Sequence, residues 1–144
     1  MILELSLIPV GNVSETIPSL LPYFRESEVW ARGRAKVDDI LRFILTGQMQ
    51  LWMVFSPEEQ KVYGHIITEV KQYPQCKLLV IQYCCIEDHH MQYVEDKMQE
   101  VAESFAKTMG CAGIEFIGRP GWGKHIKKYG YDVQSVSYQK FFKD

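Results

Sequence analysis

The sequence predicts an α/β (α+β) protein, a mixed central β-sheet with helices on both faces. Two observations carry that expectation. A run of short alternating or apolar segments, bounded by turn residues, reads as an antiparallel meander followed by a strand–helix–strand unit. Amphipathic helical stretches lie on either side of it, so helices are expected to cover both faces of the sheet. The chain has 144 residues, a length that suits one domain, taken as residues 1–144.

Each element has its own signal. Ile2 to Ile8 alternates as a first strand and is closed by Pro9 and Gly11. Ile17, Leu20, Leu21 and Phe24 follow helical spacing over residues 13–24, where Pro18 and Pro22 interrupt. Residues 25–35 read as a mobile loop. Val37, Ile40, Leu41, Ile44 and Leu45 mark a second helix, stopped by Gly47. Gln50 to Phe55 and Lys61 to Gln72 form a hairpin around the turn Ser56 to Gln60. Lys77 to Cys85 is nearly continuous apolar sequence, as in a strand covered on both faces. Val94, Met98, Val101, Ala102, Phe105, Ala106 and Met109 form one face of a long helix that Gly110 ends. Asp88 is a candidate cap for that helix. Gly113 to Ile117 is a strand, residues 122–129 a short basic helix, and Val133 to Phe142 a closing strand.

Composition excludes several classes. Net charge is −2 and the pI about 6.1, which argues against a dedicated duplex-DNA binder. Charge is segregated, with six acids against Lys97 in residues 86–103 and a basic cluster in residues 119–143. No apolar run reaches the ~20 residues of a membrane span. The N-terminus has no basic region or cleavage pattern, and the four cysteines show no CxxC spacing, so reduced thiols and a cytoplasmic setting are expected. Cys84 and Cys85, adjacent on a strand, face opposite ways, which disfavours a zinc site with His89 and His90. Gly118 to Lys124 has P-loop spacing, but His125 stands where the phosphate loop needs Ser or Thr. Pro120 and Gly121 there shape a turn that lets Trp122 pack onto the sheet.

Residues 110–142, GCAGIEFIGRPGW followed by KKYGYDVQSVSYQKFF, with GQMQLWMVF and YGHIITEV of the hairpin, resemble the GNAT (N-acetyltransferase-like) superfamily. The nearest style is that of the small GNAT-like proteins of tailed phages and prophages. The resemblance implies an acetyl-CoA site built on an Arg/Gln-x-x-Gly-x-Gly/Ala loop that opens the long helix. There, free N–H groups would face the pyrophosphate. Counting back from Gly110, the loop positions fall on His90, Tyr93 and Glu95, with Cys85 and Val94 also in cofactor-binding positions. Tyr93 crowds the backbone approach, and Glu95, Glu87 and Asp88 set negative charge beside a diphosphate. The family's proton-donating tyrosine falls on Ile126, which has no proton to give. Glu69 and Glu87 are the candidate general bases.

The expected function is therefore a phage-encoded GNAT-fold protein with a degenerate acetyl-CoA site that acts by contact with a host or virion protein. The alternative is an atypical acetyl-CoA-dependent N-acetyltransferase. The expected partner surface is the loop with Trp30, Arg32 and Arg34, an aromatic flanked by guanidinium groups. Arg119, Trp122 and Lys124 form a second basic group, for an acidic partner or, less favoured, nucleic acid. No metal and no firm cofactor is expected, acetyl-CoA entering only if the site is active.

Overall fold

The computed structural model describes residues 1–143. Five strands form one sheet in chain order: β1 (Glu4–Leu7), β2 (Gln50–Ser56), β3 (Lys61–Gln72), β4 (Lys77–Ile86) and β5 (Gly113–Phe116). The first four pair antiparallel, and β5 joins β4 in parallel. The parallel pair requires a crossover, which α3 (Glu95–Thr108) supplies. The sheet is mixed, as the sequence predicts.

Alternation along the strands separates two cores. Leu51 and Ile67 face α1 (Val13–Trp30) and α2 (Val37–Leu45), packing with Leu20, Phe24, Ile40 and Ile44. Trp52, Val54 and Ile66 face the other way, with Met98 of α3. The Trp52 indole N–H donates to Thr68 Oγ1 at 2.9 Å, so the buried ring leaves no polar atom unpaired. β4 breaks the alternation. The pairing with β3 skips from Ile67↔Tyr83 to Thr68↔Ile81, so Gln82 is an extra residue. This bulge shifts the parity and puts Ile81 and Cys84 on the same face.

α2 and both long hairpin strands lie where the sequence places them, and Gly47 and Gly110 end their helices at φ 83° and 75°. Three expectations are corrected. First, the helical stretch does not stop near residue 24. It runs to Trp30 through Pro18 and Pro22, so the expected loop 25–35 shrinks to the turn after Ala31. Both prolines sit on the exposed side, where water reaches the carbonyls left without an N–H partner. Second, Asp88 does not cap α3. A 3-10 turn, Met91–Tyr93, intervenes, and Val94 occupies the cap position with no side-chain bond. Third, residues 133–142 are not a strand: the segment is exposed and unpaired. Strand propensity is realised only against a partner edge, and the segment runs away from the edge of β5. Before it lie a 3-10 turn, Pro120–Trp122, then α4 (Gly123–Ile126) and a further 3-10 turn, Lys127–Tyr129.

Candidate functional site where β4 and β5 part

The last pair between the parallel strands is Ile81↔Phe116, closed by Ile117 N–H on Ile81 O at 3.1 Å. Beyond it, Gln82 to Ile86 keep β3 as a neighbour and lose β5. The bulge at Gln82 falls at this parting. The chain after β5 turns away with Trp122 packed at a tilt on Phe116, ring centroids 5.4 Å apart, and brings Arg119 over the Trp30 ring at 4.1 Å. Gly118 permits that turn, since a Cβ there would lie 2.6 Å from the Phe116 ring.

Trp30 is thus the centre of a cationic cluster. Arg32 lies 5.6 Å from the same ring, and the Trp30 indole N–H reaches toward Glu26 at 3.5 Å. Two guanidinium groups over one indole form a cation–π arrangement with one nearby carboxylate. Of the six residues of the expected partner surface, the structure brings Trp30, Arg32 and Arg119 together. Arg34 binds its own turn at Ala31 O, Trp122 packs on Phe116 and His125, and Lys124 is exposed on α4.

Beneath this surface lies a polar group the sequence did not suggest. Ser27 Oγ of α1 lies 2.9 Å from His65 Nε2 and 3.3 Å from Cys85 Sγ. His65 and Cys85 are opposite partners on β3 and β4, so both point at α1. Burial pulls the His65 imidazole down to about 3 and pushes the Cys85 thiol up to about 12, so both are neutral at pH 7. The neighbouring Cys84 faces α3, and burial likewise holds it well above the ordinary thiol range. Neither cysteine is a thiolate nucleophile. The Cys85 side chain is buried, near the end of β4.

The remaining loop positions surround the start of α3. His90 Nδ1 lies 2.7 Å from Asp88 O, and its ring packs on Tyr63 at 4.6 Å. Tyr93 is exposed and Val94 is buried. Glu95 is nearly covered and accepts from His125 at 3.1 Å and from Lys128, while Tyr129 donates to Asp96. The hydrogen bond to Glu95 raises the Lys128 ammonium. The acids of the first turn are therefore tied across to the segment around α4. They also favour the positive end of the α3 dipole.

The two candidate bases do not share a site. Glu69 stands opposite Val80 and accepts from Gln48 and Gln82. Glu87 follows β4 and accepts the Tyr23 hydroxyl at 2.8 Å. The level of Glu87 lies beyond Gly64, at least five residues along β3 from Glu69, or about 17 Å at strand rise. Glu26, on the stretch of α1 read as loop from the sequence, is the carboxylate beside the Trp30 cluster. Helical spacing from Phe24 through Ser27 was the available signal, masked by the prolines.

No protein-family model and no curated protein sequence matches the chain. Solved structures do. An aminoglycoside acetyltransferase from an uncultured soil metagenomic sample superposes with a TM-score of 0.73 at 12% identity, over 99% of this chain and 100% of that one. The ribosomal-protein-alanine N-acetyltransferase of Brucella melitensis biovar Abortus 2308 gives 0.68 at 12% identity, over 98% and 99%. A Clostridium acetobutylicum protein described as a "predicted acetyltransferase with acetyl-CoA" gives 0.68 at 11% identity, over 97% and 96%. At such identities the likeness speaks for the fold. Strand order, crossover and full-length coverage agree with one conclusion: the chain has the GNAT fold, the fold of these N-acetyltransferases.

Proposed function

We propose that this chain is a GNAT-fold binding module with a weakened acetyl-CoA site, working through another protein at the Trp30–Arg32–Arg119 surface. The tie between the start of α3 and the segment around α4 carries the reading. A diphosphate approaching the first N–H groups of α3 meets Glu95 and Asp96, and the nearest cations, Lys128 and His125, already serve Glu95. Tyr93 stands where a glycine would admit the phosphates. A phage origin, a host or virion partner and a cytoplasmic setting belong to the same proposal. Calorimetric titration with acetyl-CoA tests it. Absence of heat at millimolar ligand is expected, and a dissociation constant of about 10 µM or tighter, near −7 kcal/mol, would overturn it.

A second reading is acetyl transfer with a rebuilt cofactor loop, and the bulge at Gln82 where β4 leaves β5 favours it. Bulges cluster next to active sites, and the parting strands open a gap that could admit the acyl end of acetyl-CoA. In that reading Glu26 becomes a candidate general base in place of Glu69 and Glu87. Glu26→Gln would then abolish turnover while leaving acetyl-CoA binding intact, and loss of binding as well would refute that role.

A further inference from the structure

Residues 132–143 make no backbone–backbone hydrogen bond among the described residues. The segment is nevertheless fixed at two places. At its start, the Tyr131 hydroxyl donates to Gln99 of α3 at 2.9 Å, and the Tyr131 ring stands edge-on to Phe116. At its far end, the Gln139 side-chain amide donates to the Arg32 carbonyl oxygen at 2.8 Å, and the Phe141 ring lies against Gly33. The tail therefore crosses from the α3 face of the sheet to the α1 face. Between the two anchors, Val133, Val136 and Tyr138 are between 65% and 91% exposed.

The turn that the tail reaches has an unusual backbone. Arg32 and Gly33 are both left-handed, at φ 55° and 83°. Glycine takes that conformation freely, whereas arginine does so against the crowding of its own Cβ. The turn has local bonds of its own, from Arg32 N–H to Val29 O at 3.2 Å and from Arg34 N–H to Ala31 O at 3.1 Å. Neither uses the Arg32 carbonyl. The tail satisfies that carbonyl, and the Phe141 ring takes the space of a Gly33 Cβ, which would lie 2.9 Å from Phe141 Cζ. The consequence falls on a side chain. Arg32 holds its guanidinium 5.6 Å from the Trp30 ring, and a turn relaxed to right-handed backbone would send that side chain elsewhere.

The attachment is light. One exposed hydrogen bond and a ring still 67% exposed hold the far end. Segments held so lightly open at low free energy, which is what a moving element requires.

We infer that residues 139–141 form a releasable clasp on the turn 31–34, and that closing it assembles the Arg32 side of the Trp30–Arg32–Arg119 surface. With the clasp closed, Arg32 is held at Trp30 and the surface is complete. With it open, the turn relaxes and Trp30 keeps Arg119 alone. Any molecule that engages Val133, Val136 and Tyr138 differently in the two states shifts the same equilibrium. The inference rests on the proposed use of that surface, but the clasp itself can be read without a partner.

Limited digestion of the full-length chain with trypsin tests it. The bonds after Arg32 and Arg34 are exposed sites inside the turn. Gln139→Ala with Phe141→Ala raises cleavage at both bonds about tenfold, because cleavage follows the population of the open form. Lys97 and Lys107 in α3 stay as protected as in wild type. Phe141→Tyr, which keeps the ring, digests like wild type. So does Tyr138→Ala with Phe142→Ala, which trims two exposed rings of the same tail. The Trp30 indole N–H resonance reads the link to the surface: the clasp variant moves it to the position that Arg32→Ala gives it. Equal digestion of wild type and clasp variant, protection lost in α3 as well, or a Trp30 resonance left in place by the tail substitutions overturns the inference. Tight acetyl-CoA binding would overturn the weakened-site reading and leave the digest unchanged, so the two failures are distinguishable.

Discussion

Replacing His65 with methionine should abolish a defined part of the acid sensitivity of this protein. His65 lies on β3 and is fully buried, with Phe24 edge-on at 4.8 Å, Tyr23 at 6.1 Å and Ser27 Oγ 2.9 Å from Nε2. Nδ1 has no protein partner among the described residues. The groups touching the ring, Ser27, Tyr23 and Phe24, are all neutral at pH 7, and none of them compensates an imidazolium charge. Burial accordingly lowers the imidazole to about 3, against 6.5 in the unfolded chain. Between those values the unfolded state binds the extra proton. Stability is therefore complete above pH 6.5 and falls as the pH is lowered toward 3, by about 1.4 kcal/mol per unit. Relative to its plateau at high pH, the loss from this one residue reaches about 2.7 kcal/mol at about pH 4.5, a large share of a typical 5–15 kcal/mol. Urea unfolding followed by tryptophan fluorescence, at about pH 7.5, 5.5 and 4.5, measures the slope for wild type and His65→Met. Carboxylates add their own slope at the acid end, but equally to both chains, so the difference isolates His65. Equal slopes in the two chains would refute the reasoning, whatever their absolute stabilities.

Pro18→Ala and Pro22→Ala should each stabilise the protein, by up to about 3 kcal/mol, because each restores an N–H to the interior of α1 at an exposed position. A fall in melting temperature would show that the prolines fit a local bend. Glu95→Gln should cost less than about 1 kcal/mol in thermal unfolding, since its partner Lys128 is more than half exposed. Added to Tyr93→Gly, it should bring acetyl-CoA binding into the measurable range, and a double variant as inert as wild type would contradict the electrostatic account. Gly64→Ala should fail to fold or lose more than about 3 kcal/mol, because its Cβ would sit 2.2 Å from the Cys85 carbonyl oxygen. A soluble variant with wild-type unfolding would show that β3 and β4 can separate there.

The hairpin and the long helix were legible because their periods are local. QLWMVF and KVYGHIITEVKQ alternate for long enough that only one register buries the apolar set. The heptad-like face of α3 left no other solution. α1 was misread past residue 24 because proline is penalised in any helix interior. Only the packed structure shows that Pro18 and Pro22 lie on the solvent side. The candidate site was legible in part. Trp30 with its arginines stood out as an aromatic among cations, and Tyr93 and Glu95 as the wrong residues for a phosphate loop. The structure then supplied the partners: Arg119 on Trp30, and His125 and Lys128 on Glu95. Ser27, His65 and Cys85 could not be grouped from sequence, being separated by 38 and 58 residues from Ser27.

By itself the sequence determined which segments alternate, which helix faces are apolar and which loop glycines are missing, all properties of neighbouring residues. Tertiary structure decided the bulge at Gln82, the parting of β4 from β5, the neutral burial of His65 and the unpaired state of residues 132–143. Each of these depends on what lies across space. A strand exists only with a partner edge, and a carboxylate is free or tied only according to the cation that another element brings to it.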